Sequence, residues 1–275
     1  MRSITGARMA GKGRRASDSR AARATARVGL AARGVIYLLL GWVAILVAFG
    51  HQRGQANQQG ALMLLAGEPL GSVLLWLLGL GFVAYALWRL SQAAFGVAGE
   101  PDPRGAGPRL KSLARAAVYA FLAYLTFQVI AGAHPNQAGR QQDETARLMH
   151  YPAGRWLAGI VGLIVVIIGA ALVIQGIRRE FLRYLQNSRM SARARRIVRL
   201  LGVTGSIARG AIVALAGIGV IEAAVTYQPS KSRGIDQALL MLRNEPFGEF
   251  LVLLAALGLL TFGVYGLCEA RWRKV

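Results

Sequence analysis

Six stretches of the chain are apolar over a length that crosses a membrane, and polar segments separate them. Gly34–Gly50, Leu70–Trp88, Ala116–Ala133, Trp156–Ile177 and Phe250–Cys268 hold no charged residue, and Gly210–Tyr227 holds one, Glu222. Each is close to the ~20 residues that span a ~30 Å hydrocarbon core as a helix. Helices are expected because backbone groups in lipid must be satisfied within their own segment. A soluble bundle is disfavoured, since too few amphipathic faces remain to cover six such helices.

A repeat organises the six spans. Ala32-Arg33-Gly34, Ala114-Arg115-Ala116 and Ala208-Arg209-Gly210 open the odd spans. Further on come Pro69, Pro152 and Pro246, each followed two residues later by Gly71, Gly154 or Gly248. Near the end of each even span stands Gln92, Gln175 or Glu269. The reading is three hairpin units, each a span, an outer loop and a returning span. Short amphipathic pieces at Ala61–Ala66, Thr145–His150 and Gln237–Leu242 are expected to lie in the outer interface. Every unit starts and ends on the same side, so the units run parallel about an axis along the membrane normal. The expected fold is an all-α membrane protein with six transmembrane helices in a pseudo-threefold bundle. Its parts are a disordered basic tail (1–27), unit 1 (28–97), a linker (98–109), unit 2 (110–182), a basic linker (183–201) and unit 3 (202–275). In the second linker Arg179, Phe181, Leu182, Leu185, Ile197 and Leu200 are spaced as a basic amphipathic helix, extending the fourth span or lying on the membrane.

Charge then fixes an orientation. Of the 33 Lys and Arg, 26 lie in segments 1–33, 89–115, 178–209 and 269–275, and 7 in the loops on the other side. Basic loops stay in the cytoplasm, which places both termini there. The formal net charge of +21 thus belongs to one face. It would fit nucleic acid in a soluble protein. Here it points to anionic headgroups, and no nucleic-acid partner is expected. A second copy of the chain, or another membrane protein, stays open as a partner. The single Cys268 excludes an internal disulfide.

Arg33-Gly34-Val35-Ile36-Tyr37, Gly60-Ala61-Leu62, Pro69-Leu70-Gly71 and Trp88–Ala93 resemble the family called domain of unknown function 1206, as do Ala208-Arg209-Gly210 and Pro246-Phe247-Gly248. The resemblance covers about residues 25–274. It implies a bacterial inner-membrane protein of three two-helix units, and no activity. Unit 2 departs most: Ala116 replaces glycine, and Tyr151 stands where Glu68 and Glu245 precede proline.

Two polar sets are the candidate sites. Arg33, Arg115 and Arg209 at the inner start of the odd spans, with Gln92, Gln175 and Glu269 at the inner end of the even ones, come to one depth. A structural clasp is expected there, with Arg209 pairing Glu269 and the other arginines bonding amides; the alternative is arginines reaching out to the headgroups. Glu222 and Gln128 occupy matching positions in the outer half of two spans, which suggests an intramembrane cation or proton site, or else a structural bond. His51 and His134, with Tyr227 at the third position, lack carboxylate or thiol partners at ligand spacing, so no metal and no cofactor are expected. No catalytic motif is present, and the chain is read as a non-enzyme. The leading role is a scaffold or accessory membrane protein contacting anionic lipid. The alternative is a small-solute or ion transporter using Glu222 and Gln128. Ala158-x-x-x-Gly162 and Gly210-x-x-x-Ala214 permit close helix approach without naming an interface.

Overall fold

The computed structural model describes residues 20–50, 57–96, 105–133, 137–149, 151, 153–186, 188, 190–232 and 234–274. Among the described residues, six helices are long and apolar enough to cross a membrane. They are α1 (Arg20–Ala48), α3 (Gly71–Phe95), α4 (Ala106–Ile130), α6 (Gly154–Ile177), α7 (Ala192–Thr226) and α9 (Gly248–Trp272). Three shorter helices sit between the two spans of each unit: α2 (Gln58–Ala66), α5 (Gln137–Met149) and α8 (Ile235–Asn244).

The odd spans run well past the arginines expected at their starts. Arg33, Arg115 and Arg209 lie mid-helix, because α1, α4 and α7 extend 13, 9 and 17 residues further back. At 1.5 Å per residue that is roughly 14–26 Å of added helix. Arg20–Arg27, placed in the disordered tail by the sequence, is therefore helical; residues 1–19 lie outside the described part. The second linker also differs from the expected single helix. Arg179 takes a left-handed backbone (φ 57°) that ends α6. A 3-10 turn, Glu180–Tyr184, follows. α7 then starts inside the linker, with the Ser191 hydroxyl accepting from the Ala194 N–H. The reason is burial within the protein. Leu185 is fully buried in a cluster with Met190, Val198, Phe262 and Tyr265. Gln186 N–H donates to the Trp272 carbonyl at 2.8 Å, and Lys274 N–H to the Tyr184 carbonyl at 2.9 Å. The linker is thus a strap tied to the end of α9.

The short outer helices are not all interfacial. Ala61 and Leu62 of α2 and Ala238 and Leu239 of α8 are buried in the main core, whereas α5 is largely exposed. The glycine of each P-x-G motif is explained by this packing. A Cβ at Gly71, Gly154 or Gly248 would meet the carbonyl oxygen of Leu65, Leu148 or Arg243 within 2.0 Å. Only glycine lets the returning span start so close to the helix before it.

The six spans form a ring in the order α1, α3, α4, α6, α7, α9, with α9 packed back on α1. The seams between units are lined by small residues. Gly169 meets Gly210 at the α6/α7 seam, and Gly263 meets Gly34 at the α9/α1 seam. Ala86 and Ala116, both buried, take the equivalent positions of α3 and α4. Both small-residue patterns of the sequence fall in the α6/α7 seam, where Gly162 lies against Gly217.

Within units the rule is broken once. In unit 1 a Cβ at Gly29 would lie 2.6 Å from the Cα of Tyr85, and one at Gly81 2.4 Å from the Cβ of Ala32. In unit 3 Gly205 against Phe262 (2.6 Å) and Gly258 against Ala208 (2.1 Å) repeat both contacts. The same repeat positions in unit 2 hold Lys111 and Ile164. Neither side chain allows the backbones to meet, and α4 and α6 are not packed along their lengths. Five seams close the ring and the sixth stands open.

Gly258→Leu should force the α7/α9 seam apart at a cost of about 1–3 kcal/mol. Ile164→Leu, on the open seam, should leave thermal stability in detergent unchanged. Equal losses in the two variants would refute the five-closed, one-open arrangement.

Candidate functional site

The open seam leads to a cavity of about 220 Å³ near the end of the bundle where α9 stops. Among the described residues, Arg33, Arg89, Lys111, Arg115, Arg183, Arg209 and Arg273 line it, against two acids, Glu180 and Glu269. Tyr85, Tyr119, Tyr184 and Tyr265 add aromatic wall with Phe181 and Phe262.

Each position follows from the helices. α1 brings Arg33, α3 brings Tyr85 and Arg89 one turn apart, and α9 with the residue that follows it brings Tyr265, Glu269 and Arg273 at four-residue spacing. Glu269 is buried and accepts from both Arg33 and Arg273. Arg89 is 1% exposed. It donates Nε (3.0 Å) and Nη2 (2.7 Å) to the Tyr85 hydroxyl, and Nη1 (2.7 Å) to the Gln92 side-chain oxygen. The same hydroxyl accepts from Arg33 Nη1 at 3.4 Å. Arg209 has no acid partner among the described residues; its guanidinium carbon lies 5.5 Å from the Tyr37 ring centre and 5.1 Å from that of Phe262. Its Nε, like that of Arg33, is buried without a hydrogen-bond partner. Arg115 is exposed on the α4 side of the open seam.

The electrostatics are lopsided. Three arginines, Arg33, Arg89 and Arg273, are buried beside one carboxylate. Burial first, and then the Arg89 and Arg33 guanidiniums, push Arg273 down from the usual arginine range to about 9. Unpaired buried charge is costly. The tyrosine hydroxyls and aromatic faces soften that cost, each ring contact contributing about 0.5–2 kcal/mol, but they carry no compensating charge. Chemically the lining suits an anion. Arginine forks match carboxylate and phosphate oxygens in paired hydrogen bonds.

The chain matches the family model named Domain of Unknown Function (DUF1206) three times, over residues 28–96, 110–179 and 204–273. The chain belongs to this family. The DUF1206 match covers most of the chain. The protein is also 31% identical over 250 residues, 90% of both chains, to the "Uncharacterized protein YxxB" of Bacillus subtilis (strain 168). No solved structure matches it.

The structure gathers the six clasp residues at this end but pairs them differently from the expectation. Glu269 is held by Arg33 and Arg273, not by Arg209, because Arg209 lies against rings instead. Gln92 is engaged by Arg89 of its own helix, not by the arginine of an odd span. Arg115 and Gln175 line the cavity from opposite sides of the open seam. Sequence reasoning missed Arg89, Arg273 and the tyrosines. Arg89 was readable as one helical turn before Gln92, and Arg273 as one turn after Glu269. Tyr37 and Tyr119 each follow a repeat arginine by four residues.

Glu222 and Gln128 do not meet. The Glu222 carboxylate accepts from Lys231 Nζ at 2.5 Å, and Gln128 donates to the Tyr124 hydroxyl of its own helix at 2.6 Å. Their helices, α7 and α4, are not neighbours in the ring. His51, His134 and His150 lie outside the described residues. Tyr227, which accepts from Arg155 Nη1 at 2.5 Å, caps the end of α7 in a left-handed conformation.

Glu269→Gln strands two buried arginines and should cost about 3–5 kcal/mol. That is read as a melting-temperature drop of about 2–4 °C per kcal/mol in detergent. Arg209→Gln should cost less than half as much. The reverse order would mean that Glu269 answers to Arg209 after all.

Proposed function

We propose that this chain is a non-enzymatic, accessory protein of the bacterial cytoplasmic membrane that holds an anionic group in the arginine–tyrosine cavity. Its basic end faces the cytoplasm, with both termini on that side and anionic headgroups around it. One observation carries the reading: among the described residues, seven basic side chains line a cavity that offers two acids. Of those acids, Glu180 is tied to Arg183 at 3.3 Å and Glu269 to Arg33 and Arg273. Arg89, Arg115, Arg209 and Lys111 are left without an acidic partner among the described residues. A bound anion would supply the missing charge.

Transport through Glu222 and Gln128 has weaker support. Glu222 is neutralised by Lys231 from the adjoining outer loop, and the two residues stand on separate helices of the ring.

Inorganic pyrophosphate tests the anion reading in the full-length protein. An anion at about five times its dissociation constant adds about 1 kcal/mol of stability. That should raise the melting temperature by about 2–4 °C over sodium chloride at equal ionic strength. The double variant Arg115→Gln/Arg209→Gln should lose the increment. An equal response to the two salts would remove the anion reading. For orientation, a reporter active only in the cytoplasm should be silent when fused after residue 57, 140 or 231. Activity at any of them would overturn the placement of the basic end.

A further inference from the structure

The open α4/α6 seam has a consequence for what the cavity can receive. The strap from Arg179 to Gln186 crosses the end of the bundle and is hydrogen-bonded to Trp272 and Lys274. Phe181 and Tyr184 of that strap line the cavity from the same side. The wall between α4 and α6 is the one that helix packing does not close. On α4 it begins with Lys111, Arg115 and Tyr119; on α6 with Leu172, Gln175 and Gly176. One and two turns further along α6 stand Ile168 and Ile164, 50% and 51% exposed. The cationic cavity therefore opens onto the unpacked α4/α6 seam, whose α6 side carries the exposed Ile168 and Ile164.

That combination fits an amphiphile. A small free anion would use the charged cavity and leave the cleft idle. Resting on the anion-receptor reading above, we infer that the occupant is an anionic membrane phospholipid, its phosphate among Lys111, Arg115 and Arg209 and an acyl chain in the α4/α6 seam. Three observations support the choice independently of one another. The basic side chains outnumber the acids seven to two. The Nε atoms of Arg33 and Arg209 are buried without partners. The two close-approach glycines that seal units 1 and 3 are replaced in unit 2 by Lys111 and Ile164, a cation at cavity depth and an apolar side chain at cleft depth. The middle hairpin has the sequence of an entrance where the other two have the sequence of a weld.

The experiment is native mass spectrometry of the full-length protein in a neutral detergent, equilibrated with equal amounts of phosphatidylglycerol and phosphatidylcholine. One phosphatidylglycerol per chain should be retained, with a preference of about tenfold or more. Arg115→Gln/Arg209→Gln, which removes no ion pair, should abolish the preference. Ile168→Trp fills the cleft one turn away from the cavity. It should weaken lipid retention about tenfold while leaving the pyrophosphate stabilisation intact. Pyrophosphate stabilisation without lipid retention would overturn the lipid inference and leave the anion receptor standing. Loss of both responses in the wild type would overturn the two together. Retention unaffected by Ile168→Trp would overturn the seam as the place of the acyl chain.

Discussion

How closely two helix backbones can approach is the constraint on which this bundle depends. Lipid tails are as apolar as leucine, so helices in a membrane gain little by hiding leucines from one another. What they gain comes from contact, and contact is set by the small residues at each seam. Gly34 with Gly263 and Gly210 with Gly169 join the units. Gly29, Gly81, Gly205 and Gly258 join the two spans of units 1 and 3. Much of the leucine and isoleucine points outward instead, most of all on α6, the least buried span.

Electrostatics follow from that packing. Tight seams bring the arginine of α1 against the glutamate of α9, where it is paired. The loose seam leaves Arg115 facing space, and the arginines across from it share one carboxylate and a set of tyrosines. Charge at this depth would be hard to sustain in a sealed core. Here one wall, between α4 and α6, is not closed by helix packing. Geometry and charge therefore break the threefold repeat at the same place and in the same unit.

Much of this was legible in the sequence. The six spans, the three units and their parallel sense follow from apolar length, the A-R-(G/A) openings and the P-x-G motifs. The arginines and Gln92, Gln175 and Glu269 were legible as a group at one depth, because the repeat places them there three times. Their partners were not. Arg273 follows Glu269 by one helical turn, but which of Arg33 and Arg209 reaches Glu269 depends on the order of helices around the ring, and local spacing does not encode that order. Arg89 was read as a loop residue because the apolar count stops at Trp88, although the helix runs on to Phe95. The strap was read as a helix because its apolar spacing is helical. Backbone pairing with the end of α9 and the burial of Leu185 outweigh that preference. Unit 2's missing glycines stood in the sequence throughout; they acquire meaning once their equivalents are seen to be contact points.

The Arg33–Glu269 pair lies across the α9/α1 seam, and counting around the ring puts that seam opposite the gap between α4 and α6. A hoop cut at one point no longer resists being spread; it bends about the point facing the cut. The ion pair and the Gly34–Gly263 contact thus form the spine of a split hoop, where small changes in angle become larger changes in the width of the mouth. Any spreading of the mouth would turn about this back seam, which lies farthest from it in the ring.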